Sequence, residues 1–569
     1  KHSANGSVLR TLRDLPWSKT IFASIAFFLA LVTGALATYT HIDIDLTADS
    51  INTPTKRIVD ILTEVRTDLK AEYVVSPRAQ LPNQLKSIIP RVVRPFATSG
   101  IELDVVHPEH LLESTVVKME KNGMRPFEVE QVRRDTIVSQ SVWSGLQLTY
   151  NGRVAFIPRL DDRTSLHVDF LTAAAVKRLQ GHKRPVISVV SDLPRLSPAE
   201  ALEDYQKKGL SAPTGTDVYS HLKRLLADYG YEVQHVNPRY PHLAINSDVV
   251  LWMQPRRDSG EIILQLSRYL ASGGTAIVAL QHFNIQQRQY RGTGFQTVYW
   301  PQPQFQDYDR YLRLFGIEQV RQVLMDRTRH HLQLDTQVNR SAIREYNAQE
   351  VALPFLIRTV NGSYNTHSPI TSNLGDLLFI WGNTFDLSAL PKSIRANVLI
   401  NTSTDAWSFA WKGGWLPPES LTPPNTLLGA QPLAVDLRGH FPEAHFIKDD
   451  DGHSQLAALR GGTHEGRLIL VGSSEMFKND YLQRTRFDHS QLLLNLMANA
   501  VYGNDMSLLQ SRNRQSRGFA YHSSSGRTAW RIFVIFIGPL ALCVVAGYRY
   551  RQRIARLKVS FGPSNDKEP

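Results

Sequence analysis

Four side chains stand where a sheet of parallel strands would present them to a ligand: Ser191, Asp192, Gln254 and Gln281. Each comes at the end of an apolar run that reads as a strand. In open α/β sheets, ligands bind beyond the carboxyl ends of the strands. A hydroxyl, a carboxylate and two amides there could hold a small polar ligand by hydrogen bonds. A serine nucleophile could be sought at Gly472-Ser473-Ser474-Glu475. The nucleophile elbow reads Gly-x-Ser-x-Gly, and residue 476 is Met, so the stretch reads as a plain turn after a core strand.

Other reactive types lead to exclusions. The single cysteine, Cys543, lies inside an apolar run. That excludes an intramolecular disulfide, a metal site built on several thiolates, and a cysteine nucleophile in the folded body. Asp449, Asp450 and Asp451 precede Gly452-His453 but lack the spaced ligands and closing Glu of an EF-hand loop. His330-His331 reads as a surface pair, and His464-Glu465 lacks the His-Glu-x-x-His spacing of a zinc enzyme. No P-loop sequence occurs, so the chain is not expected to hydrolyse ATP itself. We expect no catalytic residue, no metal and no cofactor.

The elements that must position Ser191, Asp192, Gln254 and Gln281 are legible as an alternation. Pro185–Val190 is a continuous apolar strand, as in a sheet covered on both faces. Asp217–Tyr229 reads as an amphipathic helix closed by Gly230. Strands Tyr231–Val236 and Asp248–Met253 follow, then a helix over Glu261–Ser272 ended by Gly273-Gly274, and a strand over Thr275–Leu280. Alternating β and α elements with short links predict a parallel, doubly wound sheet. Further strands are expected at Asn397–Asn401 and Arg467–Val471. This α/β domain spans 166–505, with an insertion at about 284–395. A smaller α/β domain precedes it, over 42–165. It holds a Pro-interrupted helix ending at Thr98 and a hairpin turning on Asn151-Gly152.

Of the 569 residues 42% are hydrophobic and 20% charged, so the bulk is a folded globular chain. Residues 20–40 carry no Lys, Arg, Asp or Glu, and their length matches the ~20 residues that cross a bilayer as a helix. A second apolar segment spans 530–549. Arg10, Arg13 and Lys19 crowd the first segment, and Arg549, Arg551, Arg553, Arg556 and Lys558 crowd the second. These clusters account for part of the +12 net charge, and no motif of a nucleic-acid reader occurs, so no nucleic-acid partner is expected. By the positive-inside rule, residues 1–19 and 550–569 are cytoplasmic. The body between the spans, joined to the second by a tether over 506–529, then lies outside the cytoplasm. In a two-membrane bacterium that is the periplasm, with the chain a two-pass protein of the inner membrane.

The order of segments resembles the GldG-like family, the auxiliary component of an ABC-type transport system related to gliding motility. Asp45–Asp49 followed by Thr53-Pro54, Val105–Glu109, Ala155–Pro158 before Leu171–Leu179, Tyr269–Thr275, Leu399–Ser403, Leu470–Ser474 and Leu493–Met497 fit its blocks in order. The family's first core strand often ends in a Gly-His-Gly-Glu-like turn. Here that turn is Ser191-Asp192-Leu193-Pro194. The second domain also resembles class I amidotransferase-like and flavodoxin-like layouts. The resemblance implies a non-catalytic subunit that meets permease helices and membrane lipid, works beside a separate ATPase, and engages a protein or glycan outside the cytoplasm. A glycan- or ligand-binding module of the cell envelope, not tied to a transporter, is the other reading.

Overall fold

The computed structural model describes residues 52–133, 136–191, 217–238, 241–244, 246–256, 259–289, 297–340, 343–448, 454–484, 486–511 and 531. The two apolar segments at 20–40 and 530–549, Arg531 apart, lie outside the described residues, as do Asp192 and Asp449–Asp451. Among the described residues no helix is long and apolar enough to cross a membrane. Contacts divide the chain into Lys1–Asn513 and Arg514–Pro569. The elements below all belong to the first unit.

The amino-terminal sheet has four strands: β1 (Lys70–Val75), β2 (Leu103–Val106), β3 (Ser144–Tyr150) and β4 (Arg153–Ile157). β1 pairs in parallel with β2 and antiparallel with β3, which turns into β4. Asn151 and Gly152 both take positive φ, 47° and 76°, the requirement of the tight hairpin their types predict. Helix α1 (Lys56–Glu64) is capped by the Thr55 hydroxyl, which accepts from Ile58 N–H at 3.3 Å. Helix α2 (Asn83–Thr98) carries Pro90 and Pro95 within it and still buries Leu85, Ile88, Val92 and Phe96 on one face.

Helix α3 (Val168–Leu179) is apolar on nearly every side, and ten of its twelve residues are buried. Such a helix belongs inside a structure. It packs against α1 and β4. Through it one hydrophobic core runs unbroken from the first sheet into the second.

The second sheet has seven strands: β5 (Val186–Val190), β6 (Glu232–Val236), β7 (Val249–Met253), β8 (Thr275–Ala279), β9 (Ile394–Asn401), β10 (Pro432–Gly439) and β11 (Gly466–Val471), in the order β9-β10-β11-β8-β7-β5-β6. The five from β11 to β6 are parallel. Their side chains alternate between two cores. Ile187, Leu251, Ile277 and Ile469 face α3, α4 (Ser220–Asp228) and α6 (His489–Gln510). Val190, Trp252, Val278 and Leu470 face α5 (Gly260–Ala271) and its neighbours. Burial on both faces explains why these strands read as continuous apolar runs.

The sheet departs from the expected parallel order at one edge. β10 runs antiparallel to β11, and β9 antiparallel to β10. The fold is therefore a mixed α/β sheet. Among the described residues no helix links β10 to β11. An antiparallel hairpin, Glu443–Lys448 with Ser454–Arg460, occupies that connection. Parallel neighbours need a long crossover, usually a helix, whereas antiparallel ones do not. Between β8 and β9 the chain forms small antiparallel ribbons, including Phe283–Gln289 with Thr297–Pro303 and the long hairpin Arg329–Thr359. Helix α6 breaks at Gly503 (φ 78°, ψ −170°) and continues to Gln510, with Met506 and Leu509 buried.

Candidate functional site

The carboxyl ends of β7, β8 and β11 meet in one buried polar cluster. Gln254 directly follows β7, Gln281 lies just past β8, and Ser474 lies three residues past β11. All three are nearly inaccessible. Gln254 has φ +47°, a left-handed conformation uncommon outside glycine. Its N–H donates to Ala279 O at 2.8 Å, so the β7–β8 ladder runs one residue further as the chain turns.

Ser474 arrives through Gly472. That residue must be glycine: an added Cβ would lie 2.0 Å from Asn383 O. Ser473 donates its hydroxyl to Ile380 O at 2.8 Å. Ser474 and Glu475 then open a short 3-10 turn, Glu475–Phe477, whose first N–H groups have no partner within the turn. Gln281 supplies one. Its Oε1 accepts from Ser474 N–H at 2.8 Å and from Glu475 N–H at 3.2 Å. The Ser474 hydroxyl donates to Gln254 Oε1 at 2.7 Å, with Gln281 Oε1 at 3.1 Å. Gln254 Nε2 donates to Gln281 O at 3.3 Å, and Gln281 Nε2 to Asn284 Oδ1 at 2.8 Å.

Successive N–H groups at such a turn form a concavity suited to an anion. Here an amide oxygen of the chain itself fills it. An activated serine needs a base within hydrogen-bond reach. The acceptors around Ser474 Oγ are amide oxygens, which do not take its proton. Ser474→Ala is therefore expected to act on stability. It strips Gln254 Oε1 of its hydrogen bond and should cost about 1–3 kcal/mol in urea unfolding. A change within experimental error would contradict this account.

Ser191 closes β5. Its N–H donates to Val236 O at 3.2 Å, and its hydroxyl lies 3.2 Å from His235 Nε2. The same nitrogen lies 3.2 Å from Ser191 O. A carbonyl accepts only from a protonated nitrogen, so in that pairing His235 Nε2 is a donor and not a base for the serine. The structure thus brings Gln254 and Gln281 together, adds Ser474, and turns Ser191 toward β6.

A buried histidine carried no local sequence signal. His489 opens α6 with no exposed surface. Its Nε2 accepts from Leu378 N–H at 3.0 Å, its Nδ1 faces Tyr481 O at 3.2 Å, and its ring stacks on Phe487. Burial pushes its pKa down to about 4. Leu378 lies 111 residues away along the chain.

The family described as an ABC-type uncharacterized transport system matches residues 184–510, more than half of the chain. No curated protein matches. Among solved structures, a protein described as ThuA-like from Bacteroides uniformis is similar at 11% identity, over 57% of this chain and 97% of that one, with a TM-score of 0.28.

Proposed function

Since the chain belongs to the family of auxiliary components of an ABC-type transport system, we propose that it is a non-catalytic, membrane-anchored subunit of such a transporter, of the GldG-like, gliding-motility-related kind. The apolar spans at 20–40 and 530–549 anchor it in the inner membrane of a bacterium and pack among lipid and permease helices. A separate ATPase subunit supplies hydrolysis. Both termini face the cytoplasm, and the α/β body engages its partner in the periplasm.

The observation that carries the reading is the closed end of the sheet. The place where an open α/β sheet offers a ligand site is filled by Gln281, Gln254 and Ser474. That favours a body that works through its surface. The test is to extract the full chain from native membranes in mild detergent and identify what accompanies it. A permease and an ATPase in stoichiometric amount are expected. Recovery of the chain alone overturns the proposal.

A second reading, a cell-envelope glycan module, is favoured by one surface. Trp300 and Trp415 meet edge to face at 6.5 Å, Arg288 lies over the Trp300 ring, and Trp415 is half exposed. Exposed apolar patches with a polar rim mark binding surfaces, and indole faces suit the C–H faces of sugars. Glycan-array binding by the full chain that disappears in Trp415→Ala would favour this reading.

A further inference from the structure

At the other end of the second sheet, three arginines stand side by side. Arg395 on β9 is the register partner of Arg438 on β10, and Arg438 is that of Arg467 on β11. Directly opposed residues bring their Cβ atoms within about 4.5–5.5 Å, and like charges there repel. Such a row is costly unless anions answer it.

One carboxylate answers it from inside. Arg467 makes a forked pair with Asp436, Nε to Oδ1 and Nη2 to Oδ2, both at 2.8 Å. Its Nη2 also donates to Asn499 Oδ1 at 2.7 Å. Arg467 thereby occupies both carboxylate oxygens. Arg438 reaches Oδ2 only at 3.3 Å. Arg395 pairs with Glu465, whose half-exposed side chain directly precedes β11.

The three arginines, Asp436 and Asn499 line a cavity of about 300 Å³ with His367 and Asn504. Its volume is at the lower end of the ~300–1,000 Å³ range of small-molecule sites. Asp436 is the one carboxylate in the lining, against three guanidiniums. Glu465 offsets Arg395 from outside the lining, so the charge of Arg438 stands in excess.

The geometry points to a binding site for a phosphate monoester, gripped by Arg395 and Arg438 above a floor fixed by the Arg467–Asp436 pair. A phosphate monoester carries close to two negative charges at neutral pH. One meets the excess on Arg438, and the other competes with half-exposed Glu465 for Arg395. A guanidinium fork bonds two of its oxygens at once. The site lies at the amino ends of the parallel strands, opposite the Gln254–Gln281 cluster, and does not depend on the transporter reading.

The test uses the full chain in detergent with three probes: inorganic phosphate, glycerol 3-phosphate and dihexanoyl phosphatidic acid. Chloride at matched ionic strength is the control. At least one probe is expected to raise the unfolding temperature above that control. In the double variant Arg395→Gln, Arg438→Gln, its Kd is expected to rise at least ~10-fold. The variant spares the Arg467–Asp436 pair. The like-charge repulsion it removes offsets the loss of the Arg395–Glu465 and Arg438–Asp436 contacts, which exposed arginines make. Without ligand it should therefore unfold close to the wild-type temperature. Tighter binding of glycerol 3-phosphate assigns a soluble ligand, and tighter binding of the phosphatidic acid assigns a lipid headgroup. Binding that the double variant leaves unchanged overturns the proposal. So does the lack of any probe-specific shift up to about 10 mM, a concentration at which a ~1 mM site would be nearly filled.

Discussion

Arg467→Met is expected to destabilise the fold by about 3–5 kcal/mol, because it strands a buried carboxylate. The Asp436 side chain is 6% exposed, and Arg467 bonds both of its oxygens. Arg438 sits 3.3 Å from one of them, but its side chain is 47% exposed and cannot replace the fork. The substitution also removes the donor to Asn499 Oδ1, which ties β11 to α6. Urea unfolding of the full chain in detergent measures the loss. The double variant Arg467→Met, Asp436→Leu should recover most of it, because apolar residues of similar volume replace a buried ion pair at little cost. A single-variant loss below about 1 kcal/mol would mean that water or Arg438 supports Asp436, and the account would fail.

The second large effect is a loss of stability in mild acid. Burial holds the His489 pKa at about 4, against about 6.5 in an unfolded chain. Leu378 N–H also donates into Nε2, which leaves no room for a proton there. The folded chain therefore binds fewer protons than the unfolded one between these values. The stability is complete above pH 6.5 and is lost as pH falls toward 4. The full difference is worth about 3 kcal/mol. His221 and His282 are also depressed by burial and add to the acid loss of the wild type. The His489→Gln variant isolates the effect. The stability difference between wild type and variant should be flat above pH 6.5 and fall by about 1.4 kcal/mol per unit below it. A difference that stays constant from pH 7 to 4 would rule His489 out as the source.

Much of the scaffold is legible because its causes are local. The apolar runs at Pro185–Val190, Asp248–Met253 and Thr275–Leu280 are strands buried on both faces, and they read so because both faces need apolar side chains. Gly181, Gly230 and Gly273 end helices with positive φ, which glycine adopts at no steric cost. Asn151-Gly152 makes its hairpin because asparagine also tolerates the left-handed region. Gln254 and Gln281 could be chosen as a pair because both follow such strands and strand ends gather on one side of a parallel sheet.

The chemistry of that pair was not legible. Whether the two amides stand open to a ligand or close on Ser474 depends on β11, which starts 185 residues after Gln281. The antiparallel edge was hidden as well: β10 is not among the strands expected from the sequence, and an apolar strand such as β11 reads the same in either direction. The row Arg395, Arg438 and Arg467 exists only through register. Three arginines on three separate strands have no spacing in common along the chain. His489 is a histidine like any other until Leu378 and Phe487 enclose it.

By itself the sequence determined the strands and helices that lead to Gln254 and Gln281, which turns are glycine turns, which chemistries lack their residues, and where two apolar spans sit near the ends. Backbone sterics and hydrophobic periodicity act over a few residues, so local order is enough to read them. Tertiary structure alone decided the direction of β10, the filling of the strand-end concavity by Gln281, and the row of arginines over Asp436. Each of these is a contact between segments remote in the chain. Only the packed sheet, with its spacing and register, says which of them meet.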